Sequence, residues 1–373
     1  MHHKRLKGYI FISDVTKALE HEWFADFTNQ NEFDFRFVLF NAKDSELCHY
    51  LKKSGFSCRN FSMPGKLSMP FLLIRFWFEL LVVRPSFVHC HLFSASLIGL
   101  TAATLAGIKK RISTRHHSDF HHLYHPQAVK YDRWVNKLST HIIAVSANVE
   151  QILREKEQVP ASKITTITHG IPLEVMDAEI HPQRIHAIKE KYFPNQKGPV
   201  IGVISRFTAW KGVQYIIPAF KKLLQTRPDA LLVLANADGN YTSTINQLLQ
   251  ELPGTSYVCI RFENDGQALM KSFDLFVHVP IDAHCEAFGQ VYIEAMYLQT
   301  PMVCTLSGIA TQLVKHNFNA LVVEYQNSED IAEKVLTLLN DEPLRKTLTK
   351  NAASTVRQLS FENKYIKTIS LYR

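Results

Sequence analysis

The stretch PVIGVISRFTAWKGVQYIIPAFKKLLQTR (199–227) joins two hydrophobic patterns through a short basic turn. Residues 199–205 form an almost continuous apolar run, which is typical of a strand buried on both faces of a parallel sheet. From Val213 onward, apolar residues recur at helical spacing. The turn between them carries Arg206 and Lys211. This strand–turn–helix unit predicts a parallel α/β sheet.

The same alternation extends over the whole chain. Helical patterns separate most of the other candidate strands, which are GYIFIS (8–13), FRFVLF (35–40), SFVHCHLF (86–93), KRIST (110–114), HIIAVS (141–146), KITTITHG (163–170), ALLVLAN (230–236), TSYVCIRF (255–262), LFVHV (275–279), PMVCTL (301–306) and ALVVEY (320–325). The polar stretch HPQRIHAIKEKYFPNQKG (181–198) divides them into two series of similar length. Because 373 residues exceed one usual core, we predict two doubly wound α/β domains with a break within 172–198.

Composition limits the compartment and the partners. Lys and Arg number 42 against 34 Asp and Glu, a net charge of +8, which suits a nucleic acid, an acidic membrane surface or a phosphorylated small molecule. The six cysteines form no C-x-x-C pair, so we predict a reduced, cytoplasmic compartment. The apolar stretches 71–83 and 92–108 are too short or too polar for a membrane span and predict helices. Any membrane contact is therefore expected to be peripheral.

The stretch HCEAFGQVYIEAM (284–296) carries a second set of chemical groups. A helix is expected to begin near Gly289, and its first amides would form an anion site. Glu286 would lie in the loop before this helix and Glu294 about two turns into it. Carboxylates at these places can accept hydrogen bonds from sugar hydroxyls, while Arg206 and Lys211 can clamp a diphosphate. A helix face with a cap and a solvated basic loop is the alternative interpretation.

A histidine-rich segment, STRHHSDFHHLYHP (113–126), follows the candidate strand KRIST. Its histidines could line a polar site or hold a metal, because His117 and His121 have the H-x-x-x-H spacing of zinc ligands. No H-E-x-x-H carboxylate accompanies them, so zinc remains the less favoured alternative. For His89 and His91 at the end of an earlier strand, we expect a structural role first.

Several of these motifs together resemble the retaining glycosyltransferases of family 4. SRFTAWKG (205–212) is followed by EAFGQVYIEAM (286–296) and LQTPMVCTLSG (298–308), and the similarity extends over roughly 86–370. The resemblance implies the GT-B fold, which is two Rossmann-like domains facing across a cleft. It implies an N-terminal acceptor-side domain over 1–178, to which a closing segment at 356–373 returns, and a C-terminal donor-binding domain over 179–355.

The resemblance also assigns roles to the residues above. Arg206 and Lys211 would hold the donor diphosphate and stabilise the leaving nucleotide, and Glu294 would bind its ribose. Glu286 would hold hydroxyls of the donor sugar, and amides of Phe288, Gly289 and Gln290 would complete the cradle. In the histidine-rich segment, His116 would line the reaction centre, with His117 as the second choice. No cofactor and no metal are expected, because protein cations neutralise the leaving phosphate.

The expected function is retaining transfer of a sugar from a nucleotide-sugar to an acceptor hydroxyl. Family analogy suggests cell-surface polysaccharide or lipopolysaccharide synthesis with a sugar or lipid-linked acceptor. A non-catalytic peripheral membrane protein or anionic-ligand-binding protein is the alternative. Many cations of the first half could contact the inner face of the cell membrane, namely Lys4, Arg5, Lys7, Lys52, Lys53, Lys66, Arg75, Lys109, Lys110 and Arg111. Nucleic acid is not expected, because no basic stripe with interleaved aromatics occurs.

Overall fold

The computed structural model describes residues 5–41, 44–63 and 68–373. The chain divides into two compact units, a first unit of residues 1–172 with 359–373 and a second unit of residues 173–358. The domain ranges expected above are 1–178 with 356–373, and 179–355. Both boundaries between the expected domains lie within a few residues of the boundaries between the two units. Lys4 and Lys66 of the expected basic surface lie outside the described residues.

The first unit contains a seven-stranded sheet in the order β3-β2-β1-β4-β5-β6-β7, and every neighbouring pair is parallel. The chain runs outward from β1 on both sides, as in a doubly wound sheet. Its strands are β1 (Leu6–Ser13), β2 (Phe33–Asn41), β3 (Ser57–Ser62), β4 (Phe87–His91), β5 (Lys110–Arg115), β6 (His141–Ala144) and β7 (Ile164–Thr166).

Helices cover both faces of this sheet. They are α1 (Leu19–Phe27), α2 (Glu46–Lys53), α3 (Met69–Val83), α4 (Phe93–Leu105), α5 (Phe120–Tyr124), α6 (Val129–Leu138) and α7 (Ala147–Glu155), with α17 (Phe361–Tyr372) from the end of the chain. Alternate side chains of β1 point to opposite faces. Ile10 and Ile12 pack with α1, α2 and α17, whereas Tyr9 and Phe11 pack with α3, α4 and α6.

The second unit contains a six-stranded parallel sheet in the order β10-β9-β8-β11-β12-β13. Its strands are β8 (Val200–Ile204), β9 (Leu231–Ala235), β10 (Tyr257–Ile260), β11 (Leu275–His278), β12 (Met302–Cys304) and β13 (Leu321–Val322). Its helices are α8 (Leu173–Asp177), α9 (Pro182–Tyr192), α10 (Val213–Thr226), α11 (Thr242–Leu249), α12 (Gly266–Lys271), α13 (Gln290–Tyr297), α14 (Ala310–Leu313), α15 (Ser328–Asn340) and α16 (Glu342–Val356). The prediction of two doubly wound sheets is confirmed.

All twelve candidate strands are present, and β3 is the strand that the sequence pattern missed. Its sequence, SCRNFS, has one buried side chain and lies at the edge of the sheet. An edge strand buries less side-chain surface, so it lacks the apolar run that identified the others. Among the described residues, no helix is long and apolar enough to span a membrane.

Candidate active site

The turn after β8 is held against the end of β11. Gly212 has a φ of +74°, and a Cβ atom there would lie 1.8 Å from the carbonyl oxygen of Val279. Only glycine permits this approach and this backbone conformation without strain. The amide of Ile281 also donates to the carbonyl of Trp210 at 3.1 Å. The basic turn that contains Lys211 is thereby placed beside the loop that contains Glu286.

The loop before α13 is fixed by the segment after β12. Ser307 Oγ accepts a hydrogen bond from the amide of Glu286 at 3.0 Å, and the carbonyl of Phe288 accepts one from the amide of Ile309 at 2.8 Å. Gly308 has a φ of +57°, and a Cβ there would lie 2.8 Å from the Cβ of Glu286. The Glu286 side chain is therefore held in a defined, buried position; the residue is 8% exposed.

Two nitrogen atoms meet the same oxygen of Glu286. Lys211 Nζ donates to Oε1 at 2.5 Å, and His278 Nε2 lies 3.0 Å from that atom. Burial alone would raise the pKa of Glu286, but the Lys211 ammonium and the His278 hydrogen bond outweigh it and lower this pKa to about 2. Glu286 is therefore an ionised carboxylate with its position and charge fixed by two partners.

His278 is a site residue that the sequence reasoning missed. It ends β11, is 1% exposed, and burial lowers its pKa. A neutral ring must donate from Nε2 to the ionised Glu286, which leaves Nδ1 as an acceptor. Within the described residues, that Nδ1 has no hydrogen-bond partner. The available signal was one polar residue inside the apolar strand LFVHV.

Helix α13 begins at Gln290, as the sequence predicted. Gly289 precedes it with a φ of +86°, and a Cβ at this position would lie 2.7 Å from the Tyr292 ring. The first amides of the helix have no carbonyl acceptor within the helix, so they present an electropositive end. Phe288, Gly289 and Gln290 therefore lie at the N-terminal end of α13, where backbone amides can bind an anion.

Glu294 and Arg206 complete the predicted set in the second unit. Glu294 lies in the second turn of α13, and burial raises its pKa to about 7. Across the part of the chain that the structure describes, neither the Glu294 carboxylate nor the Arg206 guanidinium has a hydrogen bond or an ion pair. Arg206 is exposed on the same turn as Lys211. The structure thus joins Lys211 directly to Glu286 and leaves Arg206 and Glu294 without polar contacts to them.

In the first unit, His116 belongs to a cluster of five histidines. His116 Nε2 lies 3.2 Å from His91 Nδ1, and its ring stacks on that of His169 with 5.6 Å between the centroids. His21 meets the edge of His91, and His89 hydrogen-bonds Thr114 and Tyr372. We call His21, His89, His91, His116 and His169 the histidine cluster.

Burial dominates the electrostatics of the histidine cluster. It lowers the pKa of His21 and of His169 to about 4 and that of His89 to about 3, and it holds those of His91 and His116 well below the usual range. The five rings are therefore neutral at pH 7 and can act as donors or acceptors of hydrogen bonds.

The zinc alternative falls on His117, His121 and Asp132, whose ligand atoms all lie within 4.8 Å of one another. The Arg115 guanidinium, however, lies 2.7 Å from His117 Nε2 and 3.3 Å from Asp132 Oδ1. His121 Nδ1 is 2.6 Å from the other Asp132 oxygen. Although burial alone would raise the pKa of Asp132, hydrogen bonds with both histidines and the nearby Arg115 charge hold it far below its usual range. The cation that contacts His117 and Asp132 is therefore the Arg115 guanidinium.

Two family models match the chain, one in each half. The model described as Glycosyltransferase Family 4 matches residues 33–175, and the model described as Glycosyl transferases group 1 matches residues 185–355. Together they cover most of the chain. The second match contains all of the predicted donor-side residues.

Similar curated proteins include an uncharacterized glycosyltransferase of Methanocaldococcus jannaschii, MJ1607, at 27% identity over 63% of this chain and 60% of that protein. Another is the capsular polysaccharide biosynthesis glycosyltransferase CapM of Staphylococcus aureus, at 27% identity over 62% of this chain and 59% of that protein. The matched region thus spans about three fifths of the length of these relatives.

Similar solved structures cover almost the whole chain. A glycosyltransferase of Rickettsia africae aligns over 99% of this chain and 98% of its own, with a TM-score of 0.79 and 20% identity. The Anabaena protein Alr3699/HepE, solved with UDP-glucose, aligns over 97% and 99% with a TM-score of 0.80 and 19% identity. These likenesses establish the fold, which is GT-B. With both family matches, they show that the chain belongs to the group 1, family 4 glycosyltransferases.

Proposed function

We propose that this protein transfers a sugar from a nucleotide-sugar to an acceptor hydroxyl with retention of the anomeric configuration. The observation that carries this proposal is the ionised Glu286, held by Lys211 and His278 one loop before the start of α13. Ligands of open α/β sheets bind at the carboxyl ends of the strands, which is where β8 and β11 place these groups. The family match supplies the reaction class.

In this proposal, the second unit binds the donor. Arg206 and Lys211 contact the diphosphate, and amides of Phe288, Gly289 and Gln290 bind the same anion. Glu294 accepts hydrogen bonds from the ribose. Since no described group compensates the Glu294 carboxylate in the free protein, ribose hydroxyls would supply the donors that its charged form lacks.

In the chemical step, the acceptor oxygen attacks the anomeric carbon on the face from which the diphosphate departs, so the configuration is retained. The bond to the acceptor oxygen forms, the bond to the donor phosphate oxygen breaks, and the acceptor hydroxyl proton passes to that leaving phosphate oxygen. Negative charge develops on the leaving diphosphate and is stabilised by Arg206, Lys211 and the α13 amides. Glu286 holds donor-sugar hydroxyls near the oxocarbenium-like carbon, and its fixed negative charge favours that cation. His116, or His117 as the second choice, donates or accepts a hydrogen bond at the reacting sugars.

No divalent metal is required in this proposal, because protein cations and helix amides take its place at the phosphate. Transfer should therefore persist in excess EDTA. A loss that Mg²⁺ or Zn²⁺ restores would contradict this part of the proposal. If zinc restored it, the His117–His121–Asp132 cluster would be the first place to examine.

The acceptor is proposed to be a sugar or a lipid-linked sugar of cell-surface polysaccharide or lipopolysaccharide synthesis. CapM, a relative, is named for capsular polysaccharide biosynthesis. The non-catalytic alternative is not favoured, because both halves match glycosyltransferase models.

Donor binding is tested by a thermal-shift screen of nucleotide-sugars, starting with UDP-glucose. A donor at 100 times its Kd should stabilise the chain by about 2.7 kcal/mol. Arg206→Ala should reduce turnover about 10²-fold without unfolding the protein, because the side chain is exposed. Arg261→Ala, on another exposed loop of the same unit, is the matched control and should retain activity. If no nucleotide-sugar stabilises the chain and none is turned over, the proposal is wrong.

A further inference from the structure

Helix α3 exposes an apolar stripe. Its inner face is already packed in the core through Leu72, Phe76 and Leu80. The outward side chains are exposed by 69%, 53%, 57% and 84% and follow one another at intervals of three, four and four residues: Phe71, Ile74, Phe78 and Val82. This spacing places all four on one side of the helix. A contiguous exposed stripe of this kind marks an interaction surface more often than a solvated one.

Two neighbouring helices extend this surface. Helix α4 packs between α3 and α6, and it carries no charged residue. Trp134 of α6 donates from its indole N–H to Thr101 of α4 at 3.3 Å and is 45% exposed. Tyr131 and Leu105 are exposed by 44% and 57%. We call the outer surface of these three helices the α3–α4–α6 face.

The charges on the α3–α4–α6 face have one sign. The two acidic residues of these helices are turned inward: Glu79 pairs with Arg59 and accepts from the Tyr9 hydroxyl, and Asp132 is 2% exposed. The exposed charged side chains that remain are all cations: Arg75, Lys130, Arg133 and Lys137. On the opposite side of the sheet, α1 and α2 expose both signs: Asp26, Glu46, Lys52 and Lys53.

We propose that the α3–α4–α6 face docks on the surface of an anionic phospholipid bilayer. The aliphatic and phenyl side chains of α3 would enter the boundary between head groups and acyl chains, as in interfacial helices. Trp134 and Tyr131 combine an apolar ring with a polar tip, which suits the head-group level. The cations would contact lipid phosphates, which a neutral protein partner lacks.

A second copy of the chain fits this surface less well. In a two-fold dimer the same patch meets itself, so Arg75, Arg133 and Lys137 of one copy would face the same cations of the other. No exposed carboxylate on these three helices is available to compensate them. The charge therefore favours an anionic surface over self-association.

Membrane docking gives the proposed transferase access to a lipid-linked acceptor. This role rests on the proposed function, but docking itself is measured without any sugar donor. Binding of UDP-glucose and binding of vesicles can fail separately, so the two proposals are distinguishable.

The test is co-sedimentation of the full chain with vesicles of phosphatidylglycerol and phosphatidylcholine, compared with phosphatidylcholine alone. We expect binding to the anionic vesicles that weakens with salt. The double variant R133E/K137E should lower the partition coefficient at least about 30-fold, because each cation lost costs about one kilocalorie per mole and the two new carboxylates are repelled by the anionic surface. The matched control K52E/K53E changes the net charge equally on the other side of the sheet and should bind almost as wild type.

Three outcomes would overturn the proposal. They are no binding of wild type to anionic vesicles, an equal loss in both double variants, and a dimer in light scattering that R133E/K137E dissociates. A second experiment uses I74S/F78S, which removes only exposed apolar surface and should weaken vesicle binding at high salt at least tenfold. Unchanged binding of this variant would also count against docking through α3.

Discussion

Each of the two sheets carries a buried polar cluster at the carboxyl ends of its strands. The two clusters differ in charge: one consists of neutral side chains, and the other contains an ionised carboxylate paired with a cation. The histidine cluster of the first unit is neutral, because burial lowers the pKa of every member. In the second unit, Glu286 stays charged because Lys211 and His278 meet the same oxygen. A neutral imidazole avoids the cost of burying a charge, whereas a carboxylate needs a cation.

Two glutamates, one in α13 and one in the loop before it, differ even more clearly in their pKa values. Glu286 and Glu294 are both largely removed from water, yet the pKa of Glu286 is lowered to about 2 and that of Glu294 is raised to about 7. Burial acts in the same direction on both. The difference is the presence of Lys211 and His278 beside one carboxylate, so the partner and not the depth decides the charge.

Removing the charge of Glu286 should have the largest effect. We expect Glu286→Gln to lower turnover about 10³-fold, because the negative charge that the proposed mechanism places near the reacting carbon is lost while the side-chain size is kept. Steady-state kinetics measures this, with UDP-glucose binding as a check on the donor site. The control Glu329→Gln alters an exposed glutamate paired with Lys222 and should be active. Activity within tenfold of wild type for Glu286→Gln would remove this residue from the mechanism.

Acid should destabilise the first unit before the second. The pKa of His21 is lowered to about 4 from an unfolded value near 6.5, so its contribution is present above pH 6.5 and is lost as the pH falls towards 4, about 3 kcal/mol in all. The pKa of Glu286, lowered to about 2, keeps its contribution until the pH falls below about 4.5.

Single-tryptophan variants can separate the two transitions. Trp23 reports on the first unit and Trp210 on the second unit, next to Lys211. Chemical unfolding followed between pH 7 and pH 4 should show the Trp23 transition weakening more than the Trp210 transition, because protonation of Glu294 in the second unit offsets the destabilisation from buried His278. His21→Leu should reduce that pH dependence. Equal acid sensitivity of both reporters would contradict the contrast.

Glu294→Gln should stabilise the second unit at high pH. The pKa of Glu294 is raised from 4.5 to about 7, so burying its carboxyl group costs no stability below pH 4.5; the cost grows as the pH rises from 4.5 to 7 and is complete above pH 7. Replacing it should raise the free energy of unfolding at pH 8 by about 2 kcal/mol relative to pH 5. The same variant should bind UDP-glucose more weakly. If the variant raised the free energy of unfolding equally at pH 5 and pH 8, ionisation of Glu294 would not destabilise the fold.

His278→Leu should have the smallest effect, roughly a tenfold loss of kcat with little change in KM, because it removes one hydrogen bond to a charged group. His278→Gln can replace the donor and should recover part of the loss. If both variants lose activity equally and melt at the same temperature as wild type, the hydrogen bond does not position Glu286.

The sequence predicted the sheets well, because parallel strands covered on both faces need continuous apolar runs. It missed β3, where an edge position removes that need. It also located the turn of Arg206 and Lys211 and the start of α13 at Gly289, since a turn and a helix start have local signatures. It gave no sign that Glu79 of α3 would pair with Arg59 of β3.

By itself, the sequence determined the two doubly wound sheets, the loops that carry the proposed donor-side residues and the family to which the chain belongs. Only the tertiary structure decided which of those residues touch. It brought His278 onto Glu286, placed Arg115 among the donors of the zinc alternative, and turned Phe71, Ile74, Phe78 and Val82 outward together. The physical reason is range. Hydrophobic periodicity is encoded locally, whereas charge pairing and the exposure of a helix face depend on neighbours that are distant in the chain.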